Sequence, residues 1–145
     1  MYSCILATVD LNHEASWRAA LPAAAELARG SGAALHVTTV VPDFGSAIVA
    51  SQFPPDFERK ALQDAEARLE ALVAEVLPDD LPRTLHLEHG SIRTHILERA
   101  KDVGADLIVI ASHQPDHVRE LLVGSHADWI VRHSPISVLV VRRPE

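Results

Sequence analysis

The chain has 145 residues, of which 48% are apolar and 23% charged, enough bulk for one ordinary globular domain over 1–145 with a real core and too little for two. Thirteen Lys plus Arg against twenty Asp plus Glu leave a net charge of −7, a field that repels polyanions and excludes a general DNA or RNA binder. A lone Cys4 makes no intramolecular disulfide, the opening MYSCILATVD has no basic, then long apolar, leader pattern, and no apolar run approaches the roughly 20 residues that cross a bilayer. A cytoplasmic protein away from the membrane is expected.

Taken in order, Cys4 to Val9 (CILATV) is a short, almost continuous apolar run, the pattern of a strand buried on both faces of a parallel sheet (β1). Asn12 is placed to cap a following helix (α1), in which Trp17, Leu21, Ala24 and Ala28 recur at helical spacing before Gly30-Ser31-Gly32. Pro22 falls inside that stretch, so the helix either bends there or starts later. Ala34 to Val41 reads as β2, closed by Pro42, which cannot continue a central ladder. Pro42 to Asp56 shows no period and is expected to be a loop, long enough to suit a lid, a subunit contact or a simple surface connection.

Phe57, Ala61, Ala65, Leu69, Leu72 and Val76 then step by fours and threes along an amphipathic helix (α2) that stops before Pro78. Thr84 to Glu88 is expected as β3. Ser91 opens α3, with Ile92, Ile96 and Ala100 on one face and Gly104 at its end. Asp106 to Ala111 (β4) and Ser137 to Val141 (β5) are the strongest strand patterns, with a helix (α4) from Ser125 to about His133 between them. Strands alternating with helices predict an α/β fold: an open five-stranded parallel sheet, doubly wound with helices on both faces. Ligands of such sheets sit outside the carboxyl ends of the strands, where strand order reverses. That rule singles out Val9-Asp10, Val40-Val41, His89-Gly90 and Ala111-Ser112-His113.

The densest chemical signal is Ala111 to His126, ASHQPDHVRELLVGSH. Ser125-x-x-Asp128 has the form of a capping box, and Gly124 before it leaves room at a helix start whose free N–H groups can hold a phosphate without any lysine. The same residues serve equally well as a plain turn into a capped helix. Neither a P-loop nor the common dinucleotide fingerprint occurs, nor does G-x-S-x-G. No catalytic residue is assigned, and His113, His117 and His126 lack the companions that would complete a metal shell, so none is expected. Arg119 has a guanidinium suited to phosphate, though an exposed charge beside Glu120 is the reading its surroundings favour. Asp10 either faces a ligand, through a ribose hydroxyl or Mg²⁺, or caps the turn after β1.

The segments DLIVIASH and LLVGSHADWIVRHSPISVLVVR, with ILATVDLN near the start, resemble the universal stress protein family over essentially the whole chain. The resemblance implies the five-stranded fold of the adenine-nucleotide alpha hydrolase type, a homodimer paired through strand 137–141 or a tetramer built from it, and, in many members, bound ATP with or without Mg²⁺. It further implies a stress-response sensor or adaptor acting on an unidentified downstream protein; ATP hydrolysis or autophosphorylation is expected to be slow or absent, because no general base is placed for water and no lysine stands at the phosphate loop. The family's nucleotide motif, G-x2-G-x9-G-[ST], falls here on Ala111, Ser112-His113, Gln114, nine residues, then Gly124-Ser125. Carried over by position, Val9 and Asp10 lie beside the adenosine, the Val40 backbone reads the adenine edge, and Gly124, Ser125 and the His126 N–H meet phosphate. Ala111 and Gln114 stand where the motif has its first two glycines, and Pro115 restricts Gln114 to extended backbone. Two readings stay open: an adenine-nucleotide binder, and a dimeric interaction module that holds no nucleotide because Gln114 fills the phosphate space.

Overall fold

A computed structural model describes residues 1–42, 56–112 and 124–142; the expected long loop, His113, Gln114, His117 and Arg119 lie outside these. Five parallel strands form one sheet in the order β3-β2-β1-β4-β5. Their bounds are Cys4–Val9, Ala34–Val41, Thr84–His89, Leu107–Ala111 and Ser137–Val141. The connecting helices are α1 (Ala20–Ser31), α2 (Phe57–Val76), α3 (Ile92–Val103) and α4 (Ser125–His133). The chain winds outward from β1 through β2 to β3, then crosses over to β4 and β5 on the other side. Strand order therefore reverses between β1 and β4.

Every residue of β1 and of β4 is buried, as their unbroken apolar runs require, whereas the outer strands β3 and β5 are only partly covered. Alternate residues feed two cores. Ile5, Ala7 and Val9 pack with Leu21 and Ala24 of α1 and Leu69 and Val73 of α2, while Cys4 and Leu6 pack with Ile96 of α3 and Ile130 of α4. A period of two along each strand thus puts α1 and α2 on one face and α3 and α4 on the other.

The structure corrects four details. Asn12 caps no helix: Glu14–Ser16 form a single 3-10 turn, and α1 starts at Ala20 after Ala19, with no side-chain cap. Pro22 is consequently the third helical residue, where its missing N–H has no intrahelical carbonyl to lose, so the helix needs no kink. β3 runs one residue further, to His89, and β4 begins at Leu107 because the Asp106 side chain turns back on the start of β1. The Ser125-x-x-Asp128 box does not form, since Gly124 holds the N-cap position and Ser125 is already the first helical residue. Gly32 and Gly104 end α1 and α3 in the left-handed conformation, with φ of 67° and 71°, where a side chain would be strained.

Candidate functional site

A cleft of about 680 Å³ opens at the carboxyl ends of β1, β2 and β4, across the strand-order reversal. Open parallel sheets place ligands there because the carbonyl ends of the strands and the amino ends of the following helices converge. The size is that of a small-molecule site.

One wall is the turn after β1, which is tightly built. The Asp10 N–H donates to the Ser16 Oγ at 2.8 Å, and that hydroxyl donates back to the Asp10 carbonyl at 2.9 Å. The Asn12 N–H donates to the Asp10 Oδ1 at 3.0 Å, closing an Asx turn, while Oδ2 lies 3.7 Å from the His13 Nε2. Asp10 therefore caps the turn, as one of its two readings expects, and its residue also lines the cleft. The Val9 carbonyl accepts from the Thr39 hydroxyl at 2.9 Å, which ties β1 to β2 just below the opening.

The floor comes from β2 and β4, through Thr38, Thr39, Val40, Ile110 and Ala111. Thr38 is wholly buried, and its hydroxyl has no hydrogen-bond partner among the described residues. The opposite wall is the start of α4, Gly124 to Ala127. Gly124 has φ −55° and ψ 148°, backbone that any residue adopts, so what glycine supplies here is space rather than an unusual turn. The His126 Nδ1 lies 3.3 Å from the Arg93 Nε of α3. Burial first and the Arg93 charge second hold the His126 imidazole below its usual pKa, against an opposing pull from Asp10.

Of the residues singled out in the sequence, Val9, Asp10, Val40, Ala111, Gly124, Ser125 and His126 meet around this one cleft. Ser112 is not in its described lining; its N–H donates to the Val141 carbonyl at 2.9 Å, extending the β4–β5 pairing. The sequence reading missed the helices' share. From α2 come Ala61, Asp64, Ala65 and Arg68, and from α3 Ile92 and Ile96. The Arg68 guanidinium donates to the Leu11 carbonyl at 2.9 Å, stitching α2 to the β1 turn. The only trace of this in the sequence is that Arg68 sits beside the apolar stripe of α2, three residues after Ala65.

Comparison with known proteins bears on the same fold. The family model described as "Universal stress protein family" matches residues 1–142. The chain belongs to the universal stress protein family. Universal stress protein G of Escherichia coli O157:H7 is 34% identical over 98% of this chain and 100% of its own length, and that of Shigella flexneri equally so. Among solved structures, the universal stress protein UspA from Lactobacillus plantarum is 26% identical, covers 97% of this chain and 98% of its own, and superposes with a TM-score of 0.73. A universal stress protein solved in complex with cAMP is 24% identical, covers 99% of this chain and 98% of its own, with a TM-score of 0.62. As in UspA, this universal stress protein is built on an α/β sheet of the adenine-nucleotide alpha hydrolase type. Among its described residues no helix is long and apolar enough to cross a membrane.

Proposed function

We propose that this universal stress protein binds ATP or a related adenine nucleotide in the cleft at the carboxyl ends of β1, β2 and β4, and works as a cytoplasmic sensor or adaptor in a stress response. The observation that carries this reading is the convergence of Asp10, Val40 and the Gly124–His126 turn on one cleft of about 680 Å³. The polar groups fit such an occupant. Asp10 offers an acceptor for a ribose hydroxyl, the half-buried strand end at Val40 offers backbone for a base edge, and the start of α4 offers N–H groups and positive dipole to phosphate. The complex of a relative with cAMP is a precedent for an adenine nucleotide on this fold.

Turnover is proposed to be slow or absent. Among the described residues no lysine lines the cleft, and Arg68, its cationic side chain from α2, is already bonded to the Leu11 carbonyl. Phosphoryl transfer needs charge stabilisation aimed at the γ-phosphate and an oriented nucleophile. Mg²⁺, where it accompanies the nucleotide, would find carboxylates at Asp10 and Asp64, and it would neutralise phosphate charge in a chain of net charge −7.

Calorimetry with ATP and MgCl₂ tests the proposal: saturable heat supports it, and none at millimolar nucleotide overturns it. The second reading, a module without nucleotide, draws on β5. This outermost strand leaves Leu139 36% exposed, and an apolar edge is a pairing surface. We propose a homodimer through Ser137–Val141, with a tetramer as the next level of assembly, under either reading. A monomer by light scattering at micromolar concentration would remove that part.

A further inference from the structure

Building on the nucleotide reading, we propose that the His126 side chain is a phosphate-binding group, and that Arg93 is its positioning residue, holding the ring with Nε2 as the hydrogen-bond donor. The geometry starts on α3, where the Arg93 guanidinium lies 5.7 Å above the Trp129 ring of α4 and its Nε reaches the His126 Nδ1 at 3.3 Å. A guanidinium nitrogen donates and never accepts. The His126 Nδ1 must then be the lone-pair nitrogen, and in a neutral imidazole that leaves the proton on Nε2. His126 also lines the cleft, in the first turn of α4, next to the backbone N–H groups of the same turn.

The groups acting on the ring agree with a neutral state. Burial and Arg93 on the α3 side disfavour the imidazolium, and Asp10 on the β1 side favours it but is outweighed. A neutral donor suits this position, because it can bond an anion without having to take up a proton first. Arg93 adds a second benefit: its charge stands behind the ring on the Nδ1 side, where it polarises the imidazole, and the Trp129 face keeps it there. This pair supplies cationic character at the helix start of a chain whose net charge opposes anions.

The experiment compares ATP with adenosine as probes, by calorimetry, in the wild type and three variants. His126→Phe keeps the ring volume and removes the donor; it is expected to weaken ATP roughly tenfold or more while leaving adenosine within about twofold. His126→Gln carries an amide nitrogen close to the Nε2 position and should restore ATP affinity to within about threefold of wild type. Arg93→Met should weaken ATP similarly to His126→Phe, and ¹⁵N NMR of His126 without ligand should change from one tautomer to a mixture, with the ring titrating at higher pH. Equal loss of ATP and adenosine in His126→Phe, no loss at all, or an Nδ1–H tautomer in the wild type would overturn the inference. Wild-type protein that binds neither ATP nor adenosine would instead sink the nucleotide reading, and the phosphate role with it. Far-UV circular dichroism and thermal melts confirm that each variant is folded.

Discussion

The two ends of the central strand pair use the same residue type in opposite ways. At the amino end of β1 and β4, Asp106 accepts from the Ser3 N–H at 2.9 Å, the Cys4 N–H at 3.0 Å and the Ser3 hydroxyl at 3.0 Å. Those bonds, the Ser3 backbone first among them, hold its carboxyl below the usual aspartate range. At the carboxyl end, Asp10 spends one oxygen on an Asx turn and presents the carboxylate to an open cleft. The difference follows from strand polarity. Parallel strands begin with free N–H groups that a carboxylate can satisfy, whereas at their carboxyl ends the strand carbonyls meet donor-rich helix starts, and the space between them stays open.

The largest effect that would sharpen this contrast is Gly124→Val. A β-branched side chain at the helix start should reduce ATP affinity by roughly a hundredfold or more while the chain still folds, because the backbone conformation there is open to any residue, with a lower melting temperature from crowding at this buried position. Binding that survives the change would show that the start of α4 is not the phosphate end of the cleft. Asp10→Ala comes next, with an expected loss of about tenfold in nucleotide affinity and a smaller loss of stability from the opened Asx turn. Asp106→Ala should do the reverse, lowering the melting temperature without altering affinity. If both carboxylates prove to affect binding equally, the division of labour between the two ends fails.

A milder probe is pH. The His36 Nδ1 and His86 Nε2 share a hydrogen bond at 2.8 Å between β2 and β3, and burial, then Arg99, pushes both below the usual histidine value of 6.5. Arg99 is itself paired with Glu88, which opposes the shift at His86. Because these rings, with His126, take up protons more readily unfolded than folded, the stability they allow is complete above 6.5 and is lost as pH falls below it towards the folded values. Denaturant midpoints should therefore fall between pH 7.5 and 5, and His86→Phe should flatten the slope. An unchanged slope in that variant would assign the effect elsewhere. The smallest expected change is Arg68→Met, which removes an exposed bond to the Leu11 carbonyl and should cost under about 1 kcal/mol in chemical denaturation.

Much of the fold was legible because buried parallel strands must be apolar on both faces: β1, β2 and β5 have the bounds read from their runs, and α2 the bounds read from its stripe. The start of α1 was not legible. Nothing at Ala19 advertises a cap, and the residues between Asp10 and Ser16 are held by short 3-10 backbone bonds and a side-chain bond across the turn, not by α-helical pairing. The apparent capping box at Ser125 misled by one position for a similar reason. A motif of that kind names residue types at a spacing, while the N-cap is decided by where the backbone first turns helical.

The sequence alone determined the α/β class, the alternation of strands with helices and the candidate residues at the strand ends, because burial periodicity is a local property of the chain. The contributions of Thr38, Arg68, Ile92 and Ile96, and the meeting of Arg93 with His126, were decided only by tertiary structure. These residues belong to crossover helices and a strand interior whose own patterns report burial and nothing more. They become one site only when the reversal of strand order between β1 and β4 opens a space that helices from both faces of the sheet can reach.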